Sequence, residues 1–135
     1  KPMKEIINTD KAPKTIGPYS QAVKANGFIF VSGQIPIDPD TNDLVKGDIA
    51  EQTMRVIKNI KNILEAGGSG LEDVVKTTVY LRDLKKFGDM NRAYGEFFTT
   101  LFPARATVEV SNLPMGADVE IDAIAIVRVN RQEKC

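Results

Sequence analysis

Two charged side chains set in strand-like segments have the greatest capacity for chemistry in this sequence. Arg105 lies in Phe102-Pro103-Ala104-Arg105-Ala106-Thr107-Val108-Glu109-Val110, and Glu120 lies in Val119-Glu120-Ile121-Asp122. Charge in a segment that reads as buried strand is costly unless it is paired or used. A guanidinium fork grips a carboxylate in a bidentate way. A glutamate in an apolar wall has its pKa moved toward neutrality and can then transfer protons. Strand alternation puts Arg105 and Thr107 on one face, and likewise Glu120 and Asp122. It does not say whether the two pairs meet. Two readings stay open: a site for a small carboxylate-bearing substrate attacked by water, or an Arg–Glu bridge that only ties strands together.

The rest of the composition removes rivals. There is no histidine, and the single cysteine is Cys135. Ser-His-Asp triads, Cys-His pairs and HExxH zinc sites are therefore excluded. Gly67-Gly68-Ser69-Gly70 lacks the lysine of a phosphate-binding loop, and the acidic residues between Asp38 and Asp48 miss the EF-hand spacing. Neither a metal nor an organic cofactor is expected. Lys plus Arg number 18 and Asp plus Glu number 18, a formal net charge of zero. That balance provides no basic footprint for nucleic acid or a membrane surface. A length of 135 residues fits one domain spanning the chain. The longest apolar run, Ala123 to Val127, is too short to span a bilayer, and Lys1 to Glu5 lacks the apolar core of a signal peptide. A reducing, cytoplasmic setting is expected.

Further residues carry weaker signals. Tyr19 follows the Gly17-Pro18 turn, so its hydroxyl either lines a pocket or packs at a strand start. Ser32-Gly33 ends a strand, where a glycine admits a ligand close to the backbone or simply makes a turn. Phe87 and Asn91 are one helical turn apart and share a face, with Asn91 either bonded in a pocket or wetted at the stripe's edge.

The elements that must position these residues follow from pattern. Lys4 to Asn8 is strand-like. Tyr19–Ala25 and Phe28–Ser32 form a hairpin about Asn26-Gly27. Residues 33–47 read as a surface loop with a partial strand. Asp48 and Glu51 have capping-box spacing, and Ile49, Thr53, Val56, Ile57, Ile60, Ile63 and Leu64 form a helical stripe that ends at Gly67-Gly68. Asn59 falls on the polar side with Arg55, Lys58, Lys61 and Asn62. Val74–Leu81 is a strand. Asp83 caps a second helix, expected to reach about Leu101 with a stripe of Phe87, Met90, Tyr94, Phe97 or Phe98, and Leu101. Arg105–Val110 and Val119–Val129 complete the sheet, the last expected to be buried on both sides. The class is α+β, a mixed and largely antiparallel sheet with two helices on one face. The other face then needs a partner, which a symmetric oligomer would supply.

At these residues the chain resembles the Rid family, the reactive intermediate deaminases. The blocks are Ile16-Gly-Pro-Tyr19-Ser-Gln-Ala, Val31-Ser-Gly-Gln-Ile-Pro36, Val75-Lys-Thr-Thr-Val-Tyr80 with Phe87 and Asn91 beyond it, and Pro103-Ala-Arg105-Ala-Thr-Val-Glu-Val-Ser-Asn-Leu followed by Val119-Glu120-Ile121. The resemblance implies a chorismate-mutase-like fold in a homotrimer, with helices outside, a central barrel of sheets and active sites between subunits. It implies hydrolysis of 2-imino acids such as 2-iminobutanoate and 2-iminopropanoate to 2-oxo acids and ammonia, without metal or cofactor. Arg105 would grip the substrate carboxylate, Glu120 would activate water, and the backbone carbonyl of Thr107 would help to hold it. Tyr19, Ser32, Gly33, Phe87 and Asn91 would shape the pocket. Many members carry cysteine at position 107, so Thr107 disfavours thiol-based roles. A non-catalytic metabolite-binding regulator and a ribonuclease or translation inhibitor are the alternatives that the resemblance leaves.

Overall fold

The computed structural model describes residues 3–128; Lys1, Pro2, Val129 and Cys135 lie outside the described residues. In chain order the elements are β1 (Glu5–Ile7), β2 (Ala22–Ala25), β3 (Phe28–Gln34), α1 (Ile49–Ala66), β4 (Val74–Leu81), α2 (Phe87–Phe97), β5 (Ala104–Glu109) and β6 (Val119–Ile126). The strands form one six-stranded sheet in the order β1-β2-β3-β6-β4-β5. Its pairs are antiparallel except β4–β5, which are parallel and joined through α2. The α+β reading holds. No helix among the described residues is long and apolar enough to cross a membrane.

Local chemistry explains the elements. Asn26 (φ 51°) and Gly27 (φ 82°) occupy the left-handed region that a two-residue hairpin turn requires. The Asp48 carboxylate accepts from the Glu51 backbone N–H at 2.9 Å and starts α1. Every residue of the α1 stripe is buried, and Val56, Ile57, Ile63 and Leu64 are completely so. Burial of each such side chain contributes about 1.5–3 kcal/mol. Both helices lie on one face of the sheet, over Ile29, Val79, Leu81, Val119, Ile121 and Ala125. The opposite face is open, with Phe28, Phe30, Val108 and Ile126 each more than two-fifths exposed.

Several expectations are corrected. The first hairpin strand starts at Ala22 rather than Tyr19, because the Gln21 side chain is spent holding the preceding loop. Its amide accepts from Thr9 N–H at 2.8 Å and donates to the carbonyls of Thr9 and Pro13 at 3.0 and 2.9 Å. Strand β3 runs on to Gln34, with a bulge between Val31 and Gln34. Asn59 is fully buried rather than solvated, donating to the Ile37 carbonyl at 2.9 Å while accepting from Arg55. Asp83 caps a short 3-10 turn, Leu84–Lys86, and α2 itself stops at Phe97. Leu101 is not on its stripe; it sits at φ 48° and is 88% exposed. Strand β5 is an edge strand, half-exposed rather than buried. Strand β6 is buried on the helix side only, and its other side is half-open.

Candidate active site

Strand order decides which candidates can meet. Thr77 of β4 is paired with Arg105 on β5, and Tyr80 of β4 is paired with Glu120 on β6. Paired residues project to the same face, and Thr77 and Tyr80 are three positions apart on one strand. Arg105 therefore projects toward the helices and Glu120 toward the open face. Within one chain the two side chains are on opposite sides of the sheet with β4 between them. An intramolecular Arg105–Glu120 bridge is ruled out by this register.

The Arg105 half is built on β5 and α2. The guanidinium lies over the Tyr94 ring, 4.7 Å from its centroid, and 5.5 Å from that of Phe87. Tyr94 is fixed from beneath by a 2.7 Å hydrogen bond between its hydroxyl and that of buried Thr77. Burial raises the Tyr94 phenol above its ordinary pKa, so it stays a neutral ring under the cation. Among the described residues Arg105 makes no ion pair with a carboxylate, whereas Arg82, Arg92 and Arg128 each do. A groove of about 410–490 Å³ is a typical small-ligand volume. Here one of 490 Å³ opens beside Arg105, lined also by Asn91, Tyr94, Gly95, Phe98 and Phe102. Thr107 shares Arg105's face. Because Val110 N–H bonds the Leu81 carbonyl, alternation turns the backbone groups of Thr107 outward from the free edge.

The Glu120 half is built on β6, the β3 bulge and the loop before β2. Gln52 ties α1 to the entry of β6, donating to the Asp118 carboxylate at 2.8 Å and accepting from Asp118 N–H at 3.1 Å. That fixes where Glu120 emerges. The Glu120 carboxylate lies directly on Gly33, where a Cβ would overlap it. Glycine at 33 is thus a matter of close approach. The Ser32 hydroxyl donates to the Ser20 carbonyl at 2.6 Å and Ser32 N–H bonds the Gln21 carbonyl, joining the bulge to the Tyr19 loop. A second groove, about 410 Å³, is lined by Ile16, Tyr19, Gly33, Gln34 and Met115 among others. Burial, and next the charge of Asp122, raise the Glu120 carboxyl above the ordinary carboxylate range.

The expected residues thus fall into two groups. Arg105, Thr107, Phe87 and Asn91 cluster at the β5 edge, with Asn91 exposed at the groove rim. Glu120, Ser32, Gly33 and Tyr19 cluster at the β3 bulge. Sequence reasoning missed Tyr94 as the seat of Arg105, because helical periodicity marks it only as core. It also missed Tyr80, whose place opposite Glu120 depends on a strand order that no local pattern encodes.

Comparison with known proteins gives a consistent result. The family described as Endoribonuclease L-PSP matches residues 9–127. A RutC family protein of Pyrococcus abyssi is 62% identical over 90% of this chain and 96% of its own. The 2-iminobutanoate/2-iminopropanoate deaminase of Homo sapiens is 46% identical over 92% of this chain and 90% of its own. The crystal structure of E. coli TdcF with bound serine superposes with a TM-score of 0.88 at 38% identity, covering 92% of this chain and 99% of that one. The chain belongs to the RutC/Rid family, to which the L-PSP description also refers.

Proposed function

We propose that this protein hydrolyses small 2-imino acids, such as 2-iminobutanoate and 2-iminopropanoate, to 2-oxo acids and ammonia, at sites formed between copies of the chain in a homotrimer. The observation that carries the reading is Arg105: a guanidinium held on two aromatic rings, at the edge of a groove, with no carboxylate partner among the described residues. Such a cation is ready for a substrate carboxylate. The name of the human relative supplies the reaction class.

The two-sided register motivates assembly. Each half is rimmed by large exposed apolar side chains: Leu101 and Phe102 near Arg105, Ile16 and Met115 near Gly33. Large apolar side chains left exposed together at a groove mark a contact region. A closed cyclic arrangement brings the β5 edge of one copy to the β3 bulge of the next and covers the open sheet face in the same step.

In that arrangement Arg105 of one chain holds the substrate carboxylate, leaving the adjacent C=N carbon facing Glu120 of the other. The Thr107 carbonyl and the Glu120 carboxylate hold a water between them. Water oxygen bonds to the imine carbon as Glu120 takes its proton, and the C=N π electrons move to nitrogen. The proton passes from Glu120 to nitrogen, giving a carbinolamine; Glu120 then carries the carbinolamine's hydroxyl proton to nitrogen as the C=O bond forms, the C–N bond breaks and ammonia leaves. An imine is already electrophilic, so a positioned base and a positioned carboxylate suffice. Tyr19, Ser32, Gly33, Phe87 and Asn91 bound the cavity. A cytoplasmic location, beside the pyridoxal-phosphate dehydratases that release such imines, is part of the proposal.

The test couples a threonine dehydratase to semicarbazide, which traps free imine. Added protein should lower the trapped product and raise 2-oxobutanoate; no change would refute the hydrolase reading. The bound serine in E. coli TdcF favours one second reading, a carboxylate-binding regulator without turnover. It predicts saturable binding of 2-oxo acids with no acceleration of ammonia release. The nuclease implied by the L-PSP description has less support, since the formal net charge is zero and phosphate binding needs cations.

A further inference from the structure

The Glu120 half contains two ionisable groups that the proposed reaction leaves without a task. Asp122 lies two residues along β6 on the same open face, about 7 Å away by strand geometry. Tyr80 is the direct cross-strand partner of Glu120, and its hydroxyl reaches diagonally to donate to Asp122 Oδ2 at 3.0 Å. Strand β3 contributes Phe30, Ser32 and Gly33, and β4 contributes Thr78 beside Tyr80, with Lys76 farther along the same face opposite Ile124, two residues beyond Asp122. Arg82, just past the end of β4, faces Asp118 at 3.7 Å and donates to the Gly116 carbonyl. Asp118 itself is held by Gln52. Among the described residues Glu120 thus has a carboxylate and a phenol as its nearest ionisable neighbours, and Lys76 is the cation on that face, four residues along β4 from Glu120's partner Tyr80.

A like charge on the same face disfavours ionisation of Glu120, and a hydrogen bond from a phenol fixes the place of the carboxylate that receives it. Tyr80 therefore holds the Asp122 carboxylate on the face that Glu120 shares, where its charge makes the Glu120 carboxyl less ready to give up a proton. We propose that Asp122, clamped by Tyr80, is a positioning residue that sets how readily Glu120 gives and takes the catalytic proton. This rests on the hydrolase reading and assigns the half-site a second working pair. Two shifts agree with the geometry: Asp122 is the second cause, after burial, of the raised Glu120 carboxyl. Burial first, then the bond to Asp122, raises the Tyr80 phenol, so Tyr80 remains a donor at neutral pH.

The experiment is a pH profile of kcat/KM for wild type, Asp122→Asn, Asp122→Glu and Tyr80→Phe, with a parallel titration of the Glu120 carboxyl carbon by 13C NMR in the assembled, substrate-free protein. Removing the Asp122 charge should move the acid limb to lower pH, raising activity at the acid end about three- to ten-fold relative to the plateau. Asp122→Glu should return the limb toward wild type, and Tyr80→Phe, which frees the carboxylate without removing it, should fall between wild type and Asp122→Asn. An acid limb and a carbon titration unmoved in Asp122→Asn would overturn the proposal, as would failure of Asp122→Glu to restore them. If wild type has no imine turnover, the hydrolase reading fails separately, and the Glu120 carbon titration alone then upholds or overturns the coupling to Asp122.

Discussion

The Arg105 half and the Glu120 half are held by opposite means. Arg105 stands on an edge strand, seated on the faces of Tyr94 and Phe87, with its charge unanswered. Glu120 stands on an interior strand, pressed against Gly33, with acidic neighbours and its proton held more tightly than usual. On the proposed reading one half supplies a cation for the substrate's carboxylate and the other a carboxyl for proton transfer, and an imino acid needs both. The sheet keeps them apart within a chain, so the proposed reaction depends on contact at the exposed rims around each half.

The largest expected effect separates chemistry from packing. Glu120→Gln should slow imine turnover by roughly 10²–10⁴-fold if the carboxyl is the general acid–base. Steady-state kinetics with trapped imine would measure it, and an unchanged kcat would remove Glu120 from the mechanism. Next comes Arg105→Ala, which forfeits a charge-assisted contact of about 1.5–3 kcal/mol, or roughly ten- to 150-fold in kcat/KM. Because Arg105 braces no carboxylate among the described residues, thermal melting should scarcely move; a collapsed fold would return Arg105 to a structural role.

Gly33→Ala is smaller and more local. Its Cβ must displace the Glu120 carboxylate, an overpacking cost of about 1–3 kcal/mol, visible as a lowered melting temperature together with lost activity. Full activity would mean that the carboxylate's place on Gly33 is irrelevant. The smallest effect concerns stability and has a definite sign. A carboxyl whose folded pKa is raised favours the folded state fully below its unfolded pKa, and that contribution disappears as pH rises through the folded value. At neutral pH ionised Glu120 is thus a net burden. Glu120→Gln should melt at or slightly above wild type at pH 7, and the gap should shrink toward pH 4. A clear loss of stability at pH 7 would favour a structural role for the carboxylate.

Much of the scaffold was legible because its signals are local. The Asp48 cap, the α1 stripe, the Asn26-Gly27 turn and the Val74–Leu81 strand each depend on neighbours in sequence. Asn59 was misplaced because a buried amide on the polar side of a helix is explained only by the Ile37 carbonyl, 22 residues away. Arg105 and Glu120 were recognisable as charge in strands, but parity along one strand does not reveal which strand lies between two others. Their separation by β4, and with it the two-part site, is a property of topology.

The most direct test of that two-part site is subunit mixing. Arg105→Ala and Glu120→Gln proteins, each impaired alone, are unfolded together in equal amounts and refolded, then assayed for imine hydrolysis. If each site takes Arg105 from one chain and Glu120 from the next, random assembly restores an intact pair at about one site in four, so activity should return to roughly a quarter of wild type. If both residues had to come from one chain, no intact site could form, and a mixture no more active than the average of its parents would contradict the account.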